Sequence, residues 1–290
     1  MKEIIDFFLR DYSADERPLM VVVKGNEDAL VLYDAHLGVF KTVGVYVESL
    51  LRVRDKKSSY SVLVTTMDFM KDYSSEGKQP VMAVVEIVKN DAQIPSEKGN
   101  NPGGTGGFDF LMKFEGLAVF KEDKMVGYLD NKQTRAYNFL IDEIKYCYID
   151  IPIPDGLFSV LTSKSKTKIK TSYDNGKVTI DIKVKSPLRI CQNQTDLNVS
   201  EYETVKMLEN AYNIEMENEI MNTILMVQKE YKSDIFGFGN SFHSQNPKEW
   251  KNIKDKWDDE YFANAKIKVS VEADIKSEGE IKQNIGWKSK

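Results

Sequence analysis

This 290-residue sequence is poor in the residue types from which reactive sites are usually built. It contains only two cysteines, Cys147 and Cys191, and two histidines, His36 and His243. Two cysteines are too few for a disulfide scaffold or a cysteine-rich zinc site. A single disulfide bond between them is one alternative, and two free, buried thiols are the simpler expectation. The histidines are far apart and have no partner one helical turn away, so a metal site built on them is disfavoured, and a surface or capping role is expected.

No run of apolar residues is long enough to cross a membrane. The longest runs, Leu19–Val23 and Val81–Val88, fall far short of the ~20 residues that a transmembrane helix needs. The N-terminus is interrupted by Asp6 and Arg10 and lacks a small-residue cleavage site. It therefore predicts the first turns of an amphipathic helix and not a signal peptide.

The motifs of common catalytic and nucleotide-binding sites are missing as well. The glycine-rich run Gly99–Gly107 is followed by Phe108 and Asp109, so it lacks the Lys-Ser/Thr of a Walker loop, and its spacing fails the dinucleotide fingerprint. A flexible linker is expected there, and no Gly-x-Ser-x-Gly elbow occurs elsewhere. A solvated helix face is predicted for an acidic run, which comprises Asp255, Asp258, Asp259 and Glu260. We therefore predict no catalytic, cofactor-binding or metal-ligating residue, and a protein that is not an enzyme.

The composition is that of an ordinary globular protein. Hydrophobic residues make up 41% and charged residues 29% of the chain, which are typical shares. The formal net charge of -5 gives no overall basic balance of the kind that indicates nucleic-acid binding. The length allows two or three domains.

The pattern of helices and strands predicts an α+β protein of two to three modules, each a mixed or antiparallel sheet packed with helices. The first, residues 1–107, is an α/β unit that ends in the glycine-rich run. The second, residues 108–148, is a small β-hairpin and helix module. The third, residues 149–290, is a C-terminal α+β domain with a long helix lying across a sheet.

The first module alternates helices and strands. Apolar spacing predicts helices over residues 1–12, near Asp28–Leu32 and over Thr42–Arg54. Leu19–Val23 is predicted to be a strand buried on both faces, and Val81–Val88 a strand inside a sheet. Residues 62–70 are ambiguous between strand and helix.

The second and third modules contain two predicted hairpins. Residues 114–129 form the first, with a tight acidic turn, and a helix containing Ala136 and Phe139 follows it. The second hairpin, residues 164–185, turns at Asn175 and Gly176, the strongest short signal for such a turn.

The C-terminal region begins with the longest predicted helix, residues 201–232. Its start carries a capping box of Ser200 and Glu203. After a glycine break, a second helix is predicted to start at Asn246 and Pro247, with Glu249 completing its cap. Residues 266–275 alternate apolar and polar residues as a half-buried strand does, and a final run to Trp287 is a candidate partner strand.

Two features allow a structural and a functional interpretation. Trp250 and Trp257 lie seven residues apart and suit either a ligand-stacking platform or helix packing, which we favour. Lysines alternate along one predicted strand, where they suit either contact with anionic lipid headgroups or protection of a sheet edge. Edge protection is favoured for these lysines, which are Lys164, Lys166, Lys168 and Lys170.

Two blocks of sequence resemble the spore germinant receptor C-subunit family, often written Ger(x)C. The first is Gly116-Leu-Ala-Val-Phe-Lys-Glu-Asp-Lys-Met-Val-Gly-Tyr-Leu129, which is similar to the family segment G-x-A-V-F-K-x-D-K-L-V-G-x-L. The second joins Asp234-Ile-Phe-Gly-Phe-Gly239 to Asn246-Pro-Lys-Glu-Trp250, Trp257 and a closing strand that runs to Gly279. Residues Ile4–Asp11 resemble a helix internal to the family's N-terminal domain more weakly. Family members begin with a signal peptide, a lipid-modified cysteine and a β-rich portion, so the resemblance implies a chain that starts inside that domain.

The resemblance implies a non-enzymatic subunit of a nutrient germinant receptor. Such subunits are lipid-anchored at the outer face of the spore inner membrane and work beside two integral-membrane subunits by protein–protein contact. The anchoring cysteine is not found in this sequence. The resemblance brings no catalytic or ligand residues and no nucleic-acid partner. The alternative is an extracytoplasmic protein that binds a small molecule, such as an amino acid or a sugar, in a cleft between modules.

Overall fold

The computed structural model describes residues 18–24, 43–57, 59–89, 110–154 and 156–277. All structural statements below concern these ranges. Several of the predicted features lie outside them: the helices over residues 1–12 and near Asp28–Leu32, His36, the run Gly99–Gly107 and the segment to Trp287.

The first sheet has four strands in the order β1-β2-β3-β4. Its strands are β1 (Val21–Lys24), β2 (Val81–Lys89), β3 (Phe110–Lys121) and β4 (Lys124–Leu129). β1 runs parallel to β2, and the other pairs are antiparallel. The sheet is therefore mixed, and β2 lies inside it as its apolar residues on both faces predicted. The prediction that this strand is buried on both faces is wrong, because all four residues of β1 are only half-buried. In the described part of the chain β1 is an edge strand, which pairs with β2.

Three helices accompany the first sheet: α1 (Val43–Lys57), α2 (Thr66–Tyr73) and α3 (Asn131–Leu140). The ambiguous residues 62–70 divide into an extended stretch and the start of α2. Thr65 marks the division, because its side chain and that of Asp68 form a reciprocal capping box. Asp130 and Gln133 cap α3 in the same way.

The second sheet has five strands: β5 (Cys147–Ile153), β6 (Gly156–Thr162), β7 (Lys166–Asp174), β8 (Lys177–Asn193) and β9 (Lys266–Ser277). Its order is β5-β6-β8-β7, with β9 parallel to β8. The predicted hairpin is confirmed: Asn175 and Gly176 have φ values of 48° and 81° and connect β7 to β8. Residues of β8 alternate between buried and more exposed positions, so one face of this sheet packs on the core.

The long predicted helix is confirmed as α4 (Tyr202–Met226), which continues into a π-helical turn at Val227–Tyr231. Two shorter helices follow, α5 (Phe238–Gln245) and α6 (Pro247–Ile253). A 3₁₀ turn (Lys254–Lys256) and a second π turn (Trp257–Phe262) then lead to β9. None of the helices in the described ranges has both the length and the apolar character that crossing a bilayer requires.

Both predicted caps in this region are wrong in detail. Residue Glu201 precedes α4 without a side-chain cap, so Ser200 and Glu203 form no capping box. Asn246 precedes α6, and Pro247 occupies its first turn as predicted, but Asn246 makes no cap bond. Its side-chain amide donates instead to Thr171 Oγ1 on β7 at 3.1 Å, because the tertiary contact competes for the same group.

The fold is α+β, and one large core cluster includes residues of both sheets, while a smaller cluster packs Leu51 of α1 against the other face of the first sheet. The core contains Phe69 and Leu117 beside the first sheet and Ile180 and Ile220 beside the second. The first sheet takes β1 and β2 from residues 1–107, whereas β3 and β4 come from residues 108–148. The division into three domains stays a prediction.

Candidate functional site

The second sequence block begins with a loop that closes around one carboxylate. Lys232 has a left-handed conformation, with φ at 46°, and ends the helical run of α4. Asp234 follows and is completely buried. Its Oδ1 atom accepts hydrogen bonds from the backbone N–H groups of Phe236, Gly237 and Phe238 at 3.2, 3.1 and 3.2 Å. Gly237 permits this turn because its φ is 76°.

The other oxygen of Asp234 binds the start of α5 and the indole of Trp257. Oδ2 accepts from the backbone N–H of Gly239 at 2.7 Å and from the indole N–H of Trp257 at 2.9 Å. A Cβ atom on Gly239 would lie 2.7 Å from the Cα atom of Gly77 and 2.8 Å from Trp257 Nε1. Glycine is therefore required at residue 239 by close packing.

A second carboxylate, Asp258, connects this loop to the first sheet. The Asp234 N–H donates to Asp258 Oδ1 at 2.7 Å, and Gln79 Nε2 donates to Asp258 Oδ2 at 2.7 Å. The Gln79 N–H in turn donates to the Asp234 carbonyl oxygen at 2.8 Å. Gln79 Oε1 accepts from the N–H of Glu122, in the turn between β3 and β4, at 2.7 Å. We call Gln79, Glu122, Trp257, Asp258 and the loop 234–239 the Asp234 junction.

The residues just before the second block contact β3 and β4 of the first block. Tyr231 OH donates to the Tyr128 carbonyl oxygen at 2.8 Å, and its ring covers Gly127. A Cβ atom on Gly127 would lie 2.3 Å from two ring carbons of Tyr231. Ser233 Oγ donates to the Phe120 carbonyl oxygen at 2.6 Å. The end of the α4 helical run therefore packs against the hairpin of the first block.

The electrostatics of the junction follow from its burial. Loss of water raises the pKa of Asp234 to about 7, and the nearby Asp258 carboxylate adds to the rise, while the N–H donors oppose it. Burial also raises the pKa of Asp258. Asp258 was predicted to lie on a solvated face, and this is wrong, because the junction withdraws it from water. Asp255, Asp259 and Glu260 are exposed as predicted.

The tryptophans of the second block are packed inside the protein. Trp250 is 1% and Trp257 is 2% exposed, and their rings meet at a centroid distance of 5.3 Å. Phe242 lies against both rings. The packing interpretation is therefore confirmed, because rings so deeply buried offer no open platform for a ligand.

The remaining predicted residues stay apart from the junction. His243 stacks on Trp250 at 5.5 Å, and no group of three potential metal ligands occurs in the described ranges. Both cysteines are free. Cys147 is buried, which raises the pKa of its thiol to about 11. Cys191 is exposed, so the expectation that both are buried is wrong: it lies near the end of β8 on the outward face.

A buried ion pair between α3 and α4 was missed by the sequence analysis. Arg135 Nε donates to Glu219 Oε1 at 2.8 Å, and a second guanidinium nitrogen pairs with Oε2. The side chains are only 7% and 8% exposed. Arg135 also donates to Tyr60 OH at 3.3 Å. The apolar spacing of α4 does not predict this ion pair, because Glu219 lies between residues of the helix that face the core.

The surface of the described ranges has cavities large enough for a small molecule. One, of about 360 Å³, lies beside α2 and α3 and is lined by Asp72, Lys78, Tyr137 and Glu143, among others. Another, of about 390 Å³, lies where α4 begins and is lined by Lys166, Lys185, Lys206 and Glu272, among others. Both have charged groups of both signs at their rims.

The fold and the junction together define an α+β protein in which polar groups around the buried Asp234 join the loop after α4 to the first sheet. Asp234 and Asp258 have their oxygens occupied by donors from the protein. The chemical role of this network is to hold the loop, Trp257 and the edge of the first sheet in one arrangement.

Comparison with family models gives the identity of the fold. Residues 115–279 match the model described as "Spore germination B3/ GerAC like, C-terminal", and residues 1–87 match the "Spore germination protein N-terminal domain". The chain therefore belongs to this family of spore germination proteins, as its two sequence blocks predicted.

Individual relatives agree with this assignment. The chain is 26% identical to spore germination protein KC of Bacillus subtilis (strain 168) over 223 residues, which are 75% of this chain and 53% of that protein. It is 31% identical to spore germination protein A3 of the same organism over 133 residues, 45% of this chain and 36% of that protein. The chain thus spans about half the length of the curated relatives it matches, or less. The crystal structure of the GerBC protein has the same fold, with a TM-score of 0.68 and 20% identity, over 94% of this chain and 73% of that one.

Proposed function

We propose that this protein is a non-enzymatic subunit of a nutrient germinant receptor and acts by protein–protein contact at the outer face of the spore inner membrane. The observation that carries the proposal is the family match over both halves of the chain. Its partners are two integral-membrane receptor subunits, and a lipid anchor is expected in the whole protein. The Asp234 junction supports a structural role for the most distinctive motif.

An apolar stripe on the outer side of α4 supports the contact mechanism. Met207, Ile214 and Leu225 are exposed by 38%, 61% and 40%. They lie seven and eleven residues apart, which places them on one side of an α-helix. The opposite side, with Tyr212 and Ile220, is buried in the core. An exposed row of large apolar side chains is typical of a surface that meets another protein.

Co-purification tests the proposal. The chain is co-expressed with the two proposed membrane subunits from the same organism, and the complex is isolated in detergent through a tag on one of them. We expect the wild-type chain to co-purify, and Ile214→Glu to reduce its recovery. Asn252→Glu is the matched control, because it adds the same charge at an exposed residue of a different helix, α6. Failure of the wild-type chain to co-purify would contradict the proposal, and equal recovery of both variants would remove α4 from the contact.

A second function, binding of a small extracytoplasmic molecule, is favoured by the cavity of about 360 Å³ beside Tyr137. Its volume suits an amino acid or a sugar, and Lys78 and Asp72 at its rim are joined by an ion pair of 2.8 Å. Calorimetry with a panel of amino acids and sugars tests this function. Saturable binding that Lys78→Met abolishes would support it, whereas heats no larger than those of dilution would contradict it.

A further inference from the structure

The outward face of the second sheet places lysines directly opposite lysines. Lys166 on β7 pairs with Lys185 on β8, and Lys168 pairs with Lys183. Like charges directly opposite each other on neighbouring strands destabilise a sheet. The alternating lysines of β7 can be recognised in the sequence, but the register of β8 makes them part of a wider surface.

Strand β9 extends this surface on the other side of β8. Its Lys268 pairs with Asp181 at 3.2 Å, and its Glu272 pairs with Lys185 at 2.9 Å. We call the outward residues of β7, β9 and the first half of β8 the lysine face. Its lysines are Lys166, Lys168, Lys170, Lys177, Lys183, Lys185, Lys266 and Lys268, and its acidic residues are Asp174, Asp181, Glu272 and Asp274. The face thus has an excess of positive charge in a chain whose net charge is -5.

The lysine face lacks the side chains of a usual protein interface. None of the exposed large apolar residues of the described ranges lies on β7, on β9 or in residues 177–187 of β8. Protein interfaces have apolar and aromatic cores, and surfaces that bind single-stranded nucleic acid use aromatic rings on which bases stack. A positive sheet face without either is complementary to an extended anionic surface.

We propose that the lysine face binds the headgroups of anionic lipids and orients the protein on a membrane surface. The cost of the opposed pair Lys168–Lys183 supports this role, because a lipid surface supplies negative charge to these two lysines, whereas Lys185 already has Glu272 as a partner. Edge protection alone does not account for Lys183, which lies on β8 between two paired strands. Each lysine near an anionic membrane is worth about 5-fold in affinity.

This inference deepens the proposed function and rests on it only for the presence of a membrane beside the protein. Binding to lipid vesicles needs no receptor subunit. A chain that co-purifies with the membrane subunits but binds no vesicle would refute the lysine face and leave the proposed function standing.

Sedimentation with lipid vesicles tests the inference. The full chain is mixed with vesicles of phosphatidylcholine alone or of phosphatidylcholine with phosphatidylglycerol, at low and at high salt. We expect binding that requires phosphatidylglycerol and weakens with salt. Lys168→Gln combined with Lys183→Gln should weaken it about 25-fold. The control combines Lys248→Gln with Lys251→Gln, an equal change of charge on exposed residues of α6, and should leave binding unchanged.

A further variant separates lost binding from lost folding. Lys168→Glu places an acid opposite Lys183, so its melting temperature should rise while its vesicle binding falls. The inference is overturned by equal binding to neutral vesicles, by absence of binding, or by an equal loss in the α6 control. Tighter binding of a single-stranded oligonucleotide than of vesicles at the same salt would overturn it as well.

Discussion

Glu217 on α4 accepts a hydrogen bond from the backbone N–H of Val271 on β9 at 2.9 Å. The contact repeats at intervals of four helix residues and two strand residues: Asn213 accepts from Ala273 at 2.9 Å, and Glu209 from Ile275 at 3.0 Å. Four residues of an α-helix rise about 6.0 Å, and two residues of a strand about 6.6 Å. The two repeats match closely enough for side chains to replace a missing neighbour strand.

The helix therefore closes an edge of the second sheet. An unpaired strand edge is a template for pairing with other chains, and α4 satisfies its N–H groups without adding a strand. A side chain also binds the backbone of β7. Gln245 Oε1 accepts from the Thr171 N–H at 2.8 Å, and Gln245 Nε2 donates to the Ile169 carbonyl oxygen at 3.0 Å. Polar residues on otherwise apolar helix faces thus have a structural purpose.

Replacing the middle residue of this series should weaken the fold. Asn213→Ala leaves the Ala273 N–H without its acceptor, and a lost bond of this kind costs about 1 kcal/mol. We expect the free energy of unfolding in urea to fall by about that amount.

Asn210 provides the matched control for this change. It is exposed on the same helix, and alanine favours helices more than asparagine does. Asn210→Ala should therefore leave stability unchanged or raise it slightly. Equal losses in the two variants would show that the side chain of Asn213 adds nothing at the strand edge.

Periodic elements could be predicted from the sequence, because their signals are local. The alternation in β9, the apolar repeat of α4 and the Asn175–Gly176 turn each predict the observed element. The glycines of the motif Asp234–Gly239 were predicted to break the long helix, but Lys232 already ends it. Gly237 permits the following turn, and Gly239 is required by close packing.

The partners of the polar groups could not be predicted, because they are set by tertiary contacts. Asp258 resembles its solvated neighbours in sequence, yet Gln79 and the Asp234 N–H withdraw it from water. Asn246 has the sequence of a cap, but Thr171 is the group it binds. Which lysines lie opposite each other likewise depends on the register of β7 and β8, and the register cannot be predicted from the positions of the lysines in the sequence.

A glycine-to-alanine change should test the contact between β4 and Tyr231 at the end of the α4 helical run. The new Cβ atom of Gly127→Ala would lie 2.3 Å from ring carbons of Tyr231, so the ring or β4 must move. Overpacking of this kind costs about 1–3 kcal/mol. Urea unfolding measures the loss, and Tyr231→Ala should make the same glycine change nearly neutral.

Gly44 is the control for this substitution. A Cβ atom there meets nothing within 4 Å, and the residue lies exposed in α1. Gly44→Ala should raise the free energy of unfolding by up to about 1 kcal/mol. A loss at residue 127 that persists in the Tyr231→Ala background would show that the clash lies elsewhere.

The raised pKa of Asp234 predicts a pH dependence of stability. Between its ordinary value of 3.8 and its folded value of about 7, the folded protein keeps a proton that the unfolded chain has released. The contribution of Asp234 is therefore greatest at the acidic end and is lost as the pH rises through this window. Its slope is about 1.4 kcal/mol per pH unit inside the window.

The measurement compares unfolding free energies of the wild type and Asp234→Asn across this pH range. Asparagine does not titrate, so the wild type should lose stability relative to the variant as the pH rises. Asp255→Asn is the control, because Asp255 is exposed and its curve should run parallel to the wild type. A difference that grows in favour of the wild type with rising pH would mean that Asp234 is ionised in the folded state throughout.

Removing one partner of the Arg135–Glu219 pair should destabilise the fold strongly, whereas replacing both partners by apolar residues should have little effect on stability. Arg135→Met leaves a carboxylate unpaired at a side chain only 8% exposed, which should cost about 3–5 kcal/mol. Arg135→Met combined with Glu219→Leu removes both charges, and its stability should lie within about 1 kcal/mol of the wild type, because apolar groups fill the same space. The exposed pair Lys256–Glu260 is the control: its side chains are 63% and 54% exposed, and Lys256→Met should leave the free energy of unfolding nearly unchanged. A double variant less stable than the single one would show that the ion pair itself, and not merely its balance of charge, stabilises the contact between α3 and α4.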